Sequence, residues 1–261
     1  ISVCRQMGIQ ILPPDINHGV YGFSVDNGAI RYALSAIKSI GRPVIEGIVR
    51  EREEHGEYTS LKTFVERNID QINKRVVENL IKAGALDCLE GNRKQKMTIY
   101  TQIIDSINQD KKHTMAGQLS LFDIASEEDK KEFEIRMPQV EEYPKEIILT
   151  FEKEVLGIYL SGHPLERYRN MMEKMISAKT SDFQPDDETG IPEVYDNQKV
   201  IVGGMITDKT IKYTKNNKVM AFLTVEDLVG TVEVVVFPRD YEKCQMFLNE
   251  DARLFIQGRV S

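Results

Sequence analysis

The chain has 261 residues, of which 41% are hydrophobic and 29% are charged, and its formal net charge is −7. This length and composition predict two or three domains, each with enough apolar mass for a core. Three scattered cysteines, Cys4, Cys88 and Cys244, argue against a disulfide framework or a zinc site, so we expect a reducing, cytoplasmic environment. No run of about 18 apolar residues could span a bilayer, so no membrane partner is expected. The start at Ile1, without an initiator methionine or a signal peptide, indicates a fragment.

The negative charge is concentrated in the middle of the chain. Residues 100–196 carry 11 basic and 21 acidic side chains, whereas residues 28–99 carry 13 and 10, and residues 197–261 carry 9 and 8. Because attraction to phosphate acts within about a Debye length, roughly 8 Å, both flanks are compatible with DNA contact. A solvated acidic connector explains the same pattern without nucleic acid.

The first 34 residues predict a β-hairpin. Two β-prone runs, residues 21–25 and 29–34, flank Asn27-Gly28, a dipeptide typical of two-residue hairpin turns. From Ser35 the apolar spacing becomes helical, which changes the predicted structure from strand to helix.

A helix-hairpin-helix is predicted around Gly41. A short helix from Ser35 is interrupted at residues 39–41, and Pro43 suits the first turn of a second helix that ends before Gly56. In this motif the backbone N–H groups at the start of the second helix face a DNA phosphate, so the backbone is bound and no base is read. Taken alone, the pattern also fits an ordinary helix–helix corner.

Three further helices follow, with Ser60, Asn73 and Asn92 as predicted N-caps and Gly84 as a second glycine turn. The last helix should bury the face formed by Met97, Tyr100, Ile104 and Ile107. Its first turn carries Arg93, Lys94 and Lys96, and cations are unfavourable at a helix N-terminus unless an anion also lies there. A nearby phosphate and a tolerated basic surface turn both explain this cluster.

The C-terminal part predicts an OB-fold that lacks its fifth strand. Four strands, at residues 200–206, 219–225, 232–237 and 254–260, are accompanied by a helix-length spacer at residues 241–248. The predicted loop after the first strand combines cations with an aromatic ring, as single-strand-binding surfaces do. A solvated hairpin tip with Asn216-Asn217 as its turn is the alternative. The candidate residues are Lys209, Lys212, Tyr213, Lys215 and Lys218.

A short apolar sequence lies in the acidic middle: Gln118, Leu119, Ser120, Leu121 and Phe122. In a segment that cannot build a core, such a sequence is typical of a peptide that docks into another protein. A half-buried strand or a hydrophobic anchor for the linker would have the same pattern.

Several longer stretches resemble the alpha subunits of bacterial replicative DNA polymerase III. These stretches are residues 5–9, 12–17, 37–41, 73–75, 80–87, 152–157 and 161–165, and the resemblance extends over essentially the whole chain as the C-terminal part of such a subunit. The chain departs from the family at Ser39, where the first hairpin usually has glycine, and the second hairpin retains only Gly84.

The resemblance implies a set of binding roles. In the family, the Gln118 amide would hydrogen-bond at the mouth of a pocket on the beta sliding clamp while Leu119, Leu121 and Phe122 fill an apolar cleft. The hairpins would bind double-stranded DNA, and the OB-fold would bind single-stranded DNA. Further replisome subunits are additional candidate partners. The candidate duplex-binding residues are Lys38, Ser39, Gly41, Arg42, Lys82, Gly84, Arg93 and Lys94.

The resemblance also implies that the catalytic and Mg²⁺-binding domains precede Ile1. The parent would be a DNA-directed DNA polymerase, whereas this chain has no acidic pair placed to hold two metals and is expected to be inactive and without a cofactor. Two alternatives remain: a stand-alone DNA repair or replication scaffold with a clamp-binding peptide, and a protein-interaction connector without DNA contact.

The predicted fold class is multidomain α+β. Residues 1–34 would end a fingers-like domain, residues 35–110 would form a tandem helix-hairpin-helix domain, and residues 111–142 an acidic linker with the clamp-binding peptide. Residues 143–196 would be a helical connector and linker, and residues 197–261 a truncated OB-fold.

Overall fold

The computed structural model describes Cys4 and residues 7–115, 135–185 and 190–261. These residues divide into two compact units, of which the first ends at Gly162 and the second begins at His163. We call them the helical unit and the sheet unit. The stretch predicted as one connector, residues 143–196, is therefore shared between the two. None of the helices in the described ranges is both long enough and apolar enough to cross a membrane.

The helical unit begins with a small three-stranded sheet. Strands β1 (Ile11–Leu12), β2 (Ser24–Asp26) and β3 (Ala29–Arg31) lie in the order β1-β3-β2. Asn27 and Gly28 turn the predicted hairpin with φ values of 50° and 83°, a left-handed pair that asparagine and glycine adopt at little cost. The parallel pairing of β1 with β3 was not predicted from the sequence.

Five α-helices follow in the described part of this unit: α1 (Arg42–His55), α2 (Leu61–Asn68), α3 (Lys74–Ala83), α4 (Arg93–Met115) and α5 (Lys145–Leu156). The predicted caps of α2 and α3 are confirmed, because the side chains of Ser60 and Asn73 accept hydrogen bonds from the backbone N–H groups of Thr63 and Val76.

The short first helix predicted for the hairpin is a single 3-10 turn at Leu34–Ala36, and Ile37 is extended. Long-range bonds hold this backbone: the Lys38 N–H donates to the Val155 carbonyl at 2.9 Å, and the Lys38 carbonyl accepts from Asn79 Nδ2 at 2.7 Å. Tertiary partners thus satisfy the groups that a longer helix would have paired internally.

The core of the helical unit is formed by apolar faces from all its parts. Ile37, Ile45 and Ile48 of the hairpin are buried in the same cluster as Phe64 and Leu80. Helix α4 contributes Ile104 and Ile107, as its spacing predicts, and also Ile99 and Ile103, while Met97 and Tyr100 are partly buried. This packing holds the start of α1 in a defined position.

The sheet unit is a curled antiparallel sheet of four strands in the order β6-β5-β4-β7, consistent with an OB-fold. The predicted strands and helical spacer are present. The elements are helix α6 (Arg169–Met175), strands β4 (Lys199–Tyr213), β5 (Val219–Glu226) and β6 (Thr231–Val236), helix α7 (Pro238–Cys244), a 3-10 turn at Gln245–Phe247 and strand β7 (Arg253–Arg259).

Alternate residues of the strands form the core of the sheet unit. Ala221, Leu223 and Val225 of β5 are fully buried, together with Ile206 of β4 and Leu248. The predicted linker around residue 180 also packs here, because Thr180 donates from its N–H and its hydroxyl to the buried Asp227 carboxylate at 2.9 and 2.6 Å.

Candidate nucleic-acid interface

The start of α1 is an exposed helix N-terminus without an internal cap. Gly41 is its N-cap residue, with φ −76° and ψ 154°, and no side chain in the described part of the chain hydrogen-bonds to this end. By contrast, α2 and α3 are capped by their own serine and asparagine. The first turn of α1 contains no acidic residue. Pro43 has no N–H, and the Val44 N–H donates to the Gly41 carbonyl at 3.1 Å, so the N–H groups of this end that have no partner among the described residues are those of Gly41 and Arg42. Together with the positive end of the helix dipole they suit an external anion.

The absence of a side chain at Gly41 is not required by the packing. Its φ is ordinary for any residue, and a Cβ built on it would meet only Pro43 Cδ, at 3.7 Å, among the described atoms beyond its chain neighbours. A glycine at an exposed position where the fold tolerates alanine leaves room for the close approach of an outside group. Ser39, by contrast, has a φ of 65°, in the left-handed region that favours glycine.

Two cations lie beside this helix start. The side chains of Lys38 and Arg42 are exposed. Arg42 Nε donates to Glu46 Oε1 at 2.7 Å, and the Arg42 guanidinium lies 5.0 Å from the centre of the Tyr21 ring. Because both side chains of the Arg42–Glu46 pair are exposed, a phosphate can compete for Arg42 at little cost. The structure thus brings together four of the eight predicted duplex-binding residues: Lys38, Ser39, Gly41 and Arg42.

The second glycine turn, at Gly84, is buried beneath the Arg93 side chain. Gly84 has a φ of 79° and ends α3, and its N–H donates to the Ile81 and Leu80 carbonyls. It is buried, and a Cβ placed on it would lie 2.2 Å from a terminal nitrogen of Arg93. Gly84 is therefore required by the backbone conformation and by the arginine packed over it.

Arg93 and Lys82 have acidic partners within the helical unit. Arg93 is 6% exposed, and its guanidinium donates to the Asp87 carboxylate at 2.7 to 3.1 Å and lies 3.5 Å from Glu152. Lys82 forms ion pairs with Glu78 at 3.0 Å and with Glu154 at 2.8 Å. These pairs hold α3, α4 and α5 together, which gives both cations a structural role in place of the free position expected from the sequence.

The anion expected at the start of α4 is a carboxylate of the chain itself. Glu142 accepts hydrogen bonds from the backbone N–H groups of Arg93 at 2.9 Å and Lys94 at 3.1 Å. Asn92 adds a side-chain cap by accepting from the Gln95 N–H at 2.8 Å. The inference that a phosphate explains the basic first turn is therefore corrected, because Glu142, far away in sequence, satisfies the same N–H groups.

The remaining basic residues of this turn differ in exposure. Lys96 is fully buried, and its ammonium donates to the Leu89 and Gly91 carbonyls. Desolvation lowers the pKa of Lys96 from its ordinary value. Lys94 is partly exposed, with its Nζ 5.8 Å from the centre of the Tyr143 ring. Only Lys94 of the three is placed where it could meet a ligand.

The predicted single-strand-binding residues do not lie on one face of the sheet. Lys209, Lys212 and Tyr213 belong to this long strand and not to a loop. Pairing with β5 puts Lys209 and Tyr213 on the face of Leu223 and Val219, and Lys212 on the opposite face with Met220. Lys215 and Lys218 are exposed in the turn, where Asn217 has a φ of 55°.

The outer face of the sheet carries a groove of about 290 Å³ that the sequence analysis missed. Lys212 lies there with its Nζ 4.4 Å from the centre of the Phe222 ring. The alternation of β5, in which Phe222 and Thr224 lie between the buried Ala221, Leu223 and Val225, is the signal that could have revealed this face. The groove is lined by Asp208, Thr210, Lys212, Phe222, Leu223, Thr224 and Glu233.

The predicted clamp-binding peptide, Gln118 to Phe122, lies outside the described residues. Its role stays a prediction from the sequence.

One group of potential metal ligands occurs in the described residues. Glu51, Glu54 and His55 have ligand atoms within 4.8 Å of one another. Arg67 Nε and His55 Nδ1 each lie 3.0 Å from Glu51 Oε1, and the Arg67 hydrogen bond lowers the pKa of that carboxyl. This group does not fit a two-metal polymerase centre, because the Glu51 carboxylate is already paired with the Arg67 guanidinium.

Comparison with known proteins defines the class. The helix-hairpin-helix motif model matches residues 8–96, and the model of an OB-fold nucleic acid binding domain matches residues 200–261. The chain thus combines a helix-hairpin-helix region with an OB-fold of the nucleic-acid-binding type.

The relatives identify the particular protein family. Along its whole length, the chain is 34% identical to the DNA polymerase III subunit alpha of Borreliella burgdorferi, 33% to that of Vibrio cholerae and 31% to that of Escherichia coli. It spans 22% of the length of these relatives. The resemblance noted in the sequence is confirmed: the chain is a homologue of a C-terminal part of the alpha subunit of bacterial DNA polymerase III.

Proposed function

We propose that this chain holds a bacterial replicative DNA polymerase on primed DNA, in the cytoplasm, during processive template-directed synthesis. The α1 N-terminus would bind the duplex backbone, the sheet unit would bind the single strand, and the peptide from Gln118 to Phe122 would bind the sliding clamp. The observation that carries duplex binding is the uncapped α1 N-terminus, at which Gly41 leaves space that the fold itself does not need.

Duplex binding at this site would be independent of base sequence. A phosphate oxygen at the start of α1 would accept from free backbone N–H groups, while Lys38 and Arg42 supply counter-charge. Each cation that neutralises a phosphate adds roughly 0.9 to the slope of log affinity against log salt. The interaction is therefore expected to weaken steeply between about 50 and 200 mM salt.

A duplex titration of the purified chain tests this proposal. Gly41→Ala should weaken binding about tenfold, since it obstructs a charge-assisted hydrogen bond worth roughly 1.5 kcal/mol, and it should leave thermal stability nearly unchanged. Lys38→Ala should lower the salt slope by about 1.

Two controls separate this site from general effects. Gly258→Ala adds the same methyl group at an open position of the sheet unit, and Lys62→Ala removes an exposed cation of α2. Neither should change duplex affinity by more than about twofold. A flat salt response in the parent chain would refute duplex binding and favour a protein-interaction connector.

Clamp binding rests on the sequence of the peptide and on the resemblance to polymerase alpha subunits. Burial of the apolar side chains of the peptide at about 1.5 to 3 kcal/mol each, less the cost of ordering, gives roughly micromolar affinity. Tethering to a DNA-bound polymerase would strengthen this by orders of magnitude. Replacement of Gln118, Leu121 and Phe122 by alanine should abolish binding to the clamp and leave DNA binding unchanged. Clamp binding that survives this replacement would refute the docking role.

The proposal assigns synthesis to other parts of the parent polymerase, together with its Mg²⁺. A nucleotide-incorporation assay on the purified chain with primed template should therefore give no product. Metal-dependent synthesis by a homogeneous sample would overturn this assignment.

A further inference from the structure

The outer face of the sheet unit presents three rows of side chains across its strands. Paired residues of adjacent strands project from the same face, so the register defines the rows. The first row joins two carboxylates through a threonine, the second is centred on an aromatic ring, and the third carries a cation. The rows are Asp208–Thr224–Glu233, Thr210–Phe222–Val235 and Lys212–Met220.

The order of these groups matches the chemistry of one nucleotide. Successive rows are two residues apart along each strand, or roughly 7 Å, so Phe222 lies between the cation and the carboxylates. A nucleotide carries its phosphate and the hydrogen-bonding edge of its base on opposite sides of the sugar. Lys212 Nζ lies 4.4 Å from the centre of the Phe222 ring, so a base that stacks on this ring displaces the exposed lysine side chain. The displaced ammonium can meet the phosphate while the base edge points towards Asp208 and Glu233.

The carboxylates need a donor from outside the chain. Both side chains are exposed. Asp208 Oδ2 lies 3.4 Å from the Thr210 hydroxyl, and in the described part of the sheet unit Glu233 makes no ion pair or side-chain hydrogen bond. Carboxylates repel phosphate and offer only acceptors, so on a face that binds DNA they are favourable only where a base supplies N–H groups.

We propose that this face selects bases that carry an exocyclic amino group, with cytosine as the pyrimidine it prefers over thymine. The inference rests on the proposed single-strand binding by the sheet unit. Cytosine presents its N4 amino group to a carboxylate, a pairing known from base recognition. Thymine presents a carbonyl oxygen at that position, and its single N3–H lies between two carbonyl oxygens that repel a carboxylate.

The test compares two oligonucleotides that differ only in this edge of the base. Fluorescein-labelled strands of about 12 nucleotides, made of 5-methyl-deoxycytidine or of thymidine, have the same backbone and the same methyl group. Fluorescence anisotropy with the purified chain should show about tenfold tighter binding of the 5-methylcytosine strand. Any binding of the backbone by the helical unit adds equally to both affinities, so it lowers the ratio towards one and cannot create a preference.

A double variant assigns the preference to the two carboxylates. Asp208→Asn with Glu233→Gln should bring the ratio to about one, chiefly by tighter binding of thymine, because an amide can donate to a carbonyl oxygen. Glu242→Gln, on α7, removes the same charge elsewhere in the unit and should leave the ratio unchanged. If the carboxylates acted only through repulsion of phosphate, both strands would gain equally in the double variant.

The outcomes distinguish this inference from the function on which it rests. Equal binding of both strands by the parent chain overturns base selection and leaves single-strand binding intact. A preference that survives the double variant overturns the assignment to Asp208 and Glu233. Failure to bind either strand refutes single-strand binding itself.

Discussion

Arg93 offers the sharpest test of how the helical unit is built. Its position in the sequence suggests a DNA contact, whereas in the structure it is buried against acidic residues of the same unit. Its side chain is 7% exposed and faces Glu152, which is 2% exposed. Replacing Arg93 by alanine leaves Glu152 buried without its counter-charge, and such losses cost about 3 to 5 kcal/mol.

The lower end of this range is expected. Glu152 keeps hydrogen bonds from the backbone N–H groups of Leu160 and Ser161 at 2.8 and 2.9 Å, and Asp87 is exposed enough to regain water. We therefore expect Arg93→Ala to reduce the free energy of unfolding by about 3 kcal/mol. For a unit of this size the reduction corresponds to a fall in Tm of roughly 6 to 12 °C.

The assay is thermal unfolding followed by circular dichroism at a helical wavelength, with a duplex titration on the same samples. Lys94→Ala is the matched control, because it removes a neighbouring, partly exposed cation and should change the free energy of unfolding by less than about 0.5 kcal/mol. Adding Glu152→Gln to Arg93→Ala should recover at least about 1 kcal/mol, since the unpaired charge is then absent. An unchanged Tm together with a lower salt slope of duplex binding would show that Arg93 contacts phosphate and would refute the structural role.

Four further predictions concern other parts of the helical unit. Ser39→Gly should stabilise the chain by up to about 1 kcal/mol in thermal unfolding, because it relieves a left-handed φ at the cost of some unfolded-state entropy, and Ser39→Ala should give no such gain. Glu142→Gln should cost about 1 kcal/mol in the same assay, since it removes a charge from the α4 N-terminus, and a neutral result would show that Glu142 is not its cap. Desolvation and the nearby Asp15 carboxylate raise the pKa of the Cys88 thiol to about 12 although the residue is exposed, so iodoacetamide at pH 8 should alkylate Cys88 more slowly in the folded than in the unfolded chain. The unfolded chain releases this proton from about pH 9 upwards, so the free energy of unfolding should fall as pH rises past 9, and less so in Cys88→Ala.

Local sequence determined most of the secondary structure. Ser60 and Asn73 cap helices as predicted, because each side chain bonds an N–H only three residues away. Asn27-Gly28 turns a hairpin because these two residues adopt a left-handed φ at little cost. The four strands of the sheet unit were also predicted, since a period of two is visible in the chain itself. The long resemblance to polymerase alpha subunits came from the same linear information.

Only the tertiary structure decided which predicted binding groups face outward. Lys82 and Arg93 are cations of the kind that bind DNA, but both form ion pairs within the helical unit. Lys82 pairs with Glu154, 72 residues away, and Arg93 lies beside Glu152. Glu142, 49 residues from Arg93, caps the helix at which a phosphate was expected. Lys209 and Lys212 are separated by the pleat of one strand. The sequence alone specifies the type and spacing of charged residues. Which of them are buried, and with which partner each is paired, depends on contacts between residues far apart in the chain.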